Sequence, residues 1–432
     1  MNGRRYHSGS AAVLQMAFRH TWEIMRMIKV TCRSRLIALA VALGMGQRPL
    51  DAAEPHVASR LQRYVDRGVL AGAVTLVSSP EQVLSLESVG YSDVGAKTPM
   101  TTDAFFWIAS MSKPMTAAAL MMLVDLDKVK LDDPVESYLA EFHGQMVIAE
   151  KGADRLVLRK PEHPITVREI LSHTSGLVGR SPLERELDML TLREAAISYA
   201  SAPLQFEPGT RYEYCNPGIN TVGRLIEVVS GMRYEEFMQK RLFEPLGMKD
   251  TTFWPSEEQL RRLAKSYAPD AFGKGLEEIT ITQLTYPLSD RKRHPYPAGG
   301  LFSTADDVAS FCRMVLKGGV HDGARLLSER SVRSMTSTQT GELLNQGKGE
   351  HGYGLGWSTS RRSSGDSGPV IPGPCGHGGA YATDMSIDPA NGLITVFMVQ
   401  HAGYPGVEGS KVSGDFKRAA IEAFGKGRAR RK

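Results

Sequence analysis

Cysteine is scarce in this chain, with four in 432 residues. Cys32 precedes the rest, and Cys215, Cys312 and Cys375 form an odd set with no metal-type spacing. That leaves room for one disulfide, whose partners the spacing does not choose, and no cysteine zinc site. Paired histidines of the zinc-hydrolase type are also missing, so no metal and no cofactor is expected. One-sided charge is lacking as well. Of 52 Lys and Arg against 47 Asp and Glu, eight basic and two acidic residues fall in positions 1–53, leaving 44 against 45. Net charge therefore gives no case for a nucleic-acid partner or an anionic membrane. The basic stretch Lys426–Lys432 reads as a solvated terminus. Nothing suggests disorder, collagen or a repeat array. The composition, 42% hydrophobic and 23% charged, is that of a globular chain able to bury a large core.

The first fifty residues differ from the rest. Arg33 and Arg35 precede the apolar run Leu36–Met45, and Gly46, Pro49, Ala52 and Ala53 follow. Ten apolar residues are too few to span a bilayer, so no stable span is expected once this segment is removed. A basic segment, a short apolar core and small residues near a cut read as a secretory signal. The expected boundary is near Ala53, giving a leader over 1–53 and a single domain over 54–432, periplasmic or secreted. Asp51 is a poor residue before such a cut. A start at Met25 or Met27 would bring the leader to ordinary length. The competing reading is a surface amphipathic helix or an uncleaved anchor.

Strand patterns sit at both ends of the remainder: Ala71–Ser78, Val83–Gly90 and Phe105–Ile108 early, Tyr353–Ser358, Asp384–Asp388 and Leu393–Gln400 late. Helical spacing marks 56–68, Ile165–Leu177 ending at Gly176, 183–201, Ile219–Val229, Tyr234–Leu242, Thr304–Leu316 and Lys411–Phe424. Residues 250–300 read as mostly irregular. The expectation is an α+β fold, with the terminal strands paired in one antiparallel sheet (about 55–108 and 350–425) under the first and last helices. A helical lobe (about 115–345) is inserted between them, and a cleft between such lobes is a default ligand site. The glycine triplet at 352, 354 and 356 lacks the strand–loop–helix setting of a nucleotide loop.

Chemistry concentrates where the strand Phe105–Ile108 turns into an apolar helix. Ser110 and Lys113 are three apart, so their side chains share one helix face, about 5–6 Å between Cβ atoms. An amine there can take a proton from the serine hydroxyl, and the positive end of the helix favours the alkoxide. Pro114 fits only a first turn, which independently places the helix start beside Ser110. A Ser-x-x-Lys pair alone is as readily a helix cap with a solvated lysine. Two further segments stand out, Tyr214-Cys215-Asn216 and His377-Gly378-Gly379, each of which alone reads as a turn or a strand bulge. His173 reads as a group bonding a loop backbone.

Taken together, FFWIASMSKPMTA, ILSHTSGL, PGTRYEYCNPGIN, FEPLGMKDTTF, PAGGLFSTADDVASF and YGLGW resemble the serine β-lactamase and D,D-peptidase superfamily. The resemblance spans about residues 55–424 and is nearest to the class C branch, which includes esterases and D-amino-acid peptidases. It implies acyl-enzyme hydrolysis at Ser110, with Lys113 and Tyr214 as the acid–base pair. It implies that Asn216 bonds Lys113 and a substrate amide. The N–H groups of Ser110 and Ala380, past Gly379, would form the oxyanion hole, and His377 would line the opposite wall. The substrate would be a small molecule or a peptide carrying an ester, amide or β-lactam. Where many β-lactamases carry Lys-Thr-Gly, this chain has His377-Gly378-Gly379, which weakens recognition of an anionic β-lactam or a free C-terminal D-alanine. The alternatives are a dedicated class C-type β-lactamase and a catalytically silent binding or scaffold protein of the same fold.

Overall fold

The structure is a computed structural model that describes residues 56–181, 183–341, 343–344, 351–362 and 371–426. The leader expected over 1–53 lies outside the described residues. From His56 onward the chain forms one compact unit.

Its centre is an antiparallel sheet that joins the two ends of this unit. In chain order the strands are β1 (Gly72–Ser78), β2 (Val83–Asp93), β3 (Thr98–Pro99), β4 (His351–Tyr353), β5 (Ser358–Arg362), β6 (Ile371–Gly378), β7 (Asp384–Asp388) and β8 (Leu393–Met398). Across the sheet they run β4-β5-β6-β7-β8-β1-β2-β3, so the last strand pairs with the first, Val74 opposite Met398 and Leu76 opposite Val396.

Alternation along the strands explains the layering, because successive side chains of a strand face opposite sides. Val74 and Leu76, with Ile394, Val396 and Met398, enter the main core. Ala73 and Val77, with Leu393 and Phe397, enter a second core. There they meet Leu61 and Tyr64 from the first helical segment and Phe416 and Ala420 from the last helix (Val412–Phe424). Both faces of β1 are therefore covered, and every residue of it is buried. Each fully buried Leu, Val or Phe contributes about 1.5–3 kcal/mol.

The helical lobe is arranged around α1 (Ser112–Asp125), a helix apolar on every side and buried nearly throughout. A helix apolar all round has to sit inside a core. Packed against it is α3 (Asn216–Ser230), which in turn carries α2 (Val167–Ser172), while α4 (Ala305–Leu316) lies against β8 and β1 of the sheet. Several boundaries differ from the sequence expectation. The helix expected over 165–177 stops at Ser172, because His173 adopts a left-handed conformation (φ +61°). The helix expected over 183–201 begins at Leu192, behind a Thr191/Glu194 capping box. The region 250–300 contains a capped helix, Glu257–Arg262, and a hairpin, Ser266–Pro269 with Leu276–Ile279. The alternating stretch Tyr353–Ser358 is a tight connection between β4 and β5. Gly356 (φ +76°) lies so close to α1 that a Cβ there would be 2.8 Å from the Ala117 Cβ. Cys215, Cys312 and Cys375 are free and buried. Among the described residues, no helix is long and apolar enough to cross a membrane.

Candidate active site

The chain enters the site along the short strand Phe106–Trp107, which pairs with Phe302–Ser303. A left-handed residue, Ala109 (φ +45°), then turns it into a single 3₁₀ turn, Ala109–Met111. For a residue with a Cβ this conformation costs about 1–2 kcal/mol. The turn is tied down by Met111 N–H donating to Ile108 O (3.1 Å), the Ser112 hydroxyl donating to Ala109 O (2.7 Å) and Leu301 N–H donating to that hydroxyl (3.2 Å). Ser110 is thereby held half-buried ahead of α1.

Lys113, one turn on, is 0% exposed. Its Nζ lies 2.9 Å from Ser110 Oγ and 2.6 Å from the carbonyl of Ala298. Burial drives its pKa well below the usual value near 10.5, since desolvation disfavours the ammonium. Burial thus favours the free amine, the form that can accept a proton.

Tyr214 arrives from 104 residues away, and its hydroxyl lies 3.0 Å from Ser110 Oγ. The ring is 42% exposed and lies over Lys113 Nζ, 4.8 Å from the ring centroid. Desolvation raises its pKa above the usual 10, with the Ser110 hydrogen bond opposing the shift, so the phenol keeps its proton. The structure thus brings Ser110, Lys113 and Tyr214 to one point.

His173 brackets the Tyr214 loop. Its carbonyl accepts from Glu213 N–H (2.9 Å), its Nδ1 accepts from Cys215 N–H (3.1 Å), and its ring stands 4.5 Å from that of Tyr214.

The opposite side is formed by the end of β6. His377 Nδ1 lies 2.7 Å from Gly378 O and Nε2 lies 3.0 Å from the Tyr353 hydroxyl. A carbonyl only accepts, so Nδ1 carries the proton and Tyr353 donates to Nε2. Burial pushes the His377 pKa down to about 3, and the nearby Lys113 adds to the effect. Gly379 is pressed against the nucleophile strand, where a Cβ would lie 2.1 Å from Thr383 Oγ1 and 2.6 Å from Ile108 O. Ala380 beyond it is exposed, and no backbone partner for its N–H is present among the described residues.

One expectation fails. Asn216 does not bond Lys113. It opens α3 at the first helical position, and its Oδ1 is buried with no hydrogen-bond partner. The acceptor that Lys113 uses is the Ala298 carbonyl, which sequence reasoning could not single out because every residue has one. Tyr353 was also missed, although it follows the glycine triplet's first member directly and lies in the YGLGW stretch.

The neutral state of His377 has a measurable consequence. An unfolded histidine titrates near 6.5, so below that pH the unfolded chain binds a proton that the folded chain refuses. His377→Gln should therefore gain stability relative to the wild type as pH falls from 6.5 toward 3, at about 1.4 kcal/mol per pH unit. Urea unfolding of both proteins at pH 7 and pH 5 checks this, and a pH-independent difference contradicts it.

The sequence profile of the Beta-lactamase family matches residues 57–412, and the chain belongs to that family. Protein Rv1367c of Mycobacterium tuberculosis is 32% identical over 362 residues, 79% of this chain and 88% of that protein. Esterase EstB of Burkholderia gladioli is 26% identical over 395 residues, 83% of this chain and 94% of EstB. Among solved structures, EstCE1, described as a hydrolase with promiscuous acyltransferase activity, superposes with a TM-score of 0.69 at 24% identity, covering 84% of this chain and 97% of its own. The fold is that of the serine β-lactamases and penicillin-binding proteins.

Proposed function

We propose that the protein is an exported serine hydrolase that passes through an acyl-enzyme on Ser110, with uncharged esters ahead of β-lactams as substrates. The observation that carries this is the position of Ser110 Oγ between a buried amine at 2.9 Å and a phenol at 3.0 Å, with burial disfavouring the charged form of each.

In acylation the Ser110 oxygen attacks the substrate carbonyl while its proton passes to Lys113 Nζ. The charge on the tetrahedral oxygen is met by the N–H groups of Ser110 and Ala380, and such preorganised donors are usually the largest electrostatic contribution to acyl transfer. As the C–O bond breaks, Tyr214 gives its proton to the leaving alkoxide. The Lys113 ammonium beneath the same ring then returns a proton to the phenolate. Deacylation reverses the roles with water as nucleophile.

Preference for uncharged substrates follows from the site wall. His377 is neutral, both its ring nitrogens are engaged, and Gly378 offers no hydroxyl. A substrate carboxylate would meet no fixed cation there. A fluorescent penicillin and p-nitrophenyl butyrate, tested side by side, decide the order. Faster turnover of the ester supports the reading, and faster turnover of the penicillin overturns it. Export is checked by N-terminal sequencing of the secreted protein, where an intact Met1 rejects it.

Tyr214→Phe removes the acid and should lower kcat by about 10²–10⁴, with KM little changed. Alcohols of low pKa leave without a proton, so p-nitrophenyl esters should suffer less than alkyl esters. Equal losses on both would rule out proton donation by this phenol.

A further inference from the structure

Behind Lys113 the structure holds a chain of polar contacts outside the reacting groups. It begins with Asn220, on α3 one turn after Asn216 and 2% exposed. Its Oδ1 accepts from Ala298 N–H (3.1 Å), and its Nδ2 lies 3.0 Å from the Tyr199 hydroxyl. Tyr199 donates to the carboxyl of Glu184, whose other oxygen accepts from Ser181 N–H (3.2 Å). The same peptide plane is held on its other side, where Thr116 Oγ1 reaches Pro297 O (2.8 Å) and also the Tyr234 hydroxyl (2.7 Å). The carbonyl of Ala298 then accepts from Lys113 Nζ.

We infer that Asn220 is a positioning residue for the proposed base. Its amide holds the 297–298 peptide through Ala298 N–H, and the Ala298 carbonyl, one peptide further on, aims the Lys113 amine at Ser110.

The directions along the Asn220 branch follow from its donors and acceptors. Lys113 Nζ must spend one N–H on the Ala298 carbonyl, which leaves its lone pair to be turned toward Ser110 Oγ. A carbonyl free to swing would let the amine turn its lone pair away. Asn is the fitting side chain at 220 because the position needs an acceptor for Ala298 N–H and a donor for Tyr199 at once. Tyr199 has to accept there because its own proton goes to Glu184. Asn220 touches neither substrate nor nucleophile and acts only through Ala298. The inference rests on the reading of Lys113 as the base.

The titratable groups facing this assembly are Tyr214, Cys215, His173 and His377 around the amine, and Tyr199, Tyr296 and Glu184 around the amide. All are neutral when Lys113 is neutral, apart from Glu184 at the far end of the chain, whose burial raises its pKa. Asn220→Asp keeps the acceptor for Ala298 N–H and adds a negative charge, which favours the ammonium. Asn220→Leu keeps the volume and loses both bonds.

The test reads Lys113 directly, by the pH titration of its ¹³Cε resonance, assigned by its absence in Lys113→Met. Activity on p-nitrophenyl butyrate is followed alongside. In Asn220→Asp the Lys113 titration and the acidic limb of kcat/KM should both move up by about one pH unit or more. In Asn220→Leu kcat should fall about 10–100-fold with KM within about twofold, the scale expected from a small misplacement of a reacting group. Tyr199→Phe should fall between this and the wild type. An unmoved Lys113 titration in Asn220→Asp overturns the inference, and so does a folded Asn220→Leu with wild-type kcat. Should Asn220→Leu fail to fold, the Asp variant decides alone. Absence of turnover in the wild type would overturn the hydrolase reading instead, while the ¹³C titration would still report whether residue 220 governs the amine.

Discussion

Ser110→Ala is expected to abolish turnover of every accepted ester, by at least about 10⁴-fold in kcat. When residues act as a unit, losing the nucleophile costs as much as losing the set, and what remains comes from binding and the oxyanion donors. The substitution removes one oxygen from a half-buried position and leaves the turn that holds it intact. That turn depends on Ala109, Ser112 and Leu301 rather than on the Ser110 hydroxyl. Unfolding of the variant should therefore match the wild type within about 0.5 kcal/mol. A folded Ser110→Ala enzyme with more than a few per cent of wild-type kcat is incompatible with an acyl-enzyme on this residue.

Lys113→Met is the second large effect. It removes the base and leaves a side chain of similar length in the same buried position. We expect kcat to fall by about 10³–10⁴, the upper part of the usual range for losing one acid–base group, because Tyr214 also depends on this amine for its proton. Stability should rise or stay level. Folding transfers Lys113 from water, where it is an ammonium, to a site whose burial disfavours that charge. Between the lowered folded pKa and about 10.5 the unfolded chain binds the extra proton, so wild-type stability from this group falls as pH drops through that window. Methionine has no such dependence. The stability advantage of Lys113→Met should accordingly grow as pH is lowered from 10 to 7. In the wild type the same lowered pKa puts the acidic limb of kcat/KM below the normal lysine range, and the limb should vanish in the variant. A variant that keeps both the limb and the rate would move the base elsewhere.

The parts of this site that could be read from the sequence are those whose geometry is local. Ser110 and Lys113 are three apart and Pro114 marks the helix start, so the pairing follows from helical periodicity. The pairing of first and last strands follows from apolar alternation at both ends of the chain. Tyr214 is 104 residues from Ser110, and only the resemblance of a whole set of stretches pointed to it. What stayed hidden lives in the backbone. The acceptor of Lys113 is a carbonyl, and the expected partner, Asn216, is turned aside by its place at the helix start. Asn220 carries no sequence signal, because its partner Ala298 lies 78 residues away and offers only a backbone N–H. Helix limits erred where a single left-handed residue, His173, ended a run that periodicity alone would continue. The Thr191/Glu194 box was legible in principle as a Thr-x-x-Glu start signal, but the apolar spacing upstream concealed it.

The strictest test of the account is intact-mass spectrometry of the enzyme quenched in acid within the first turnovers of p-nitrophenyl butyrate. The account predicts an added butyryl group on the peptide containing Ser110, reduced by longer incubation and absent in Ser110→Ala. Full turnover with no adduct at any quench time and no burst of p-nitrophenol, or an adduct mapped to another residue, would contradict it.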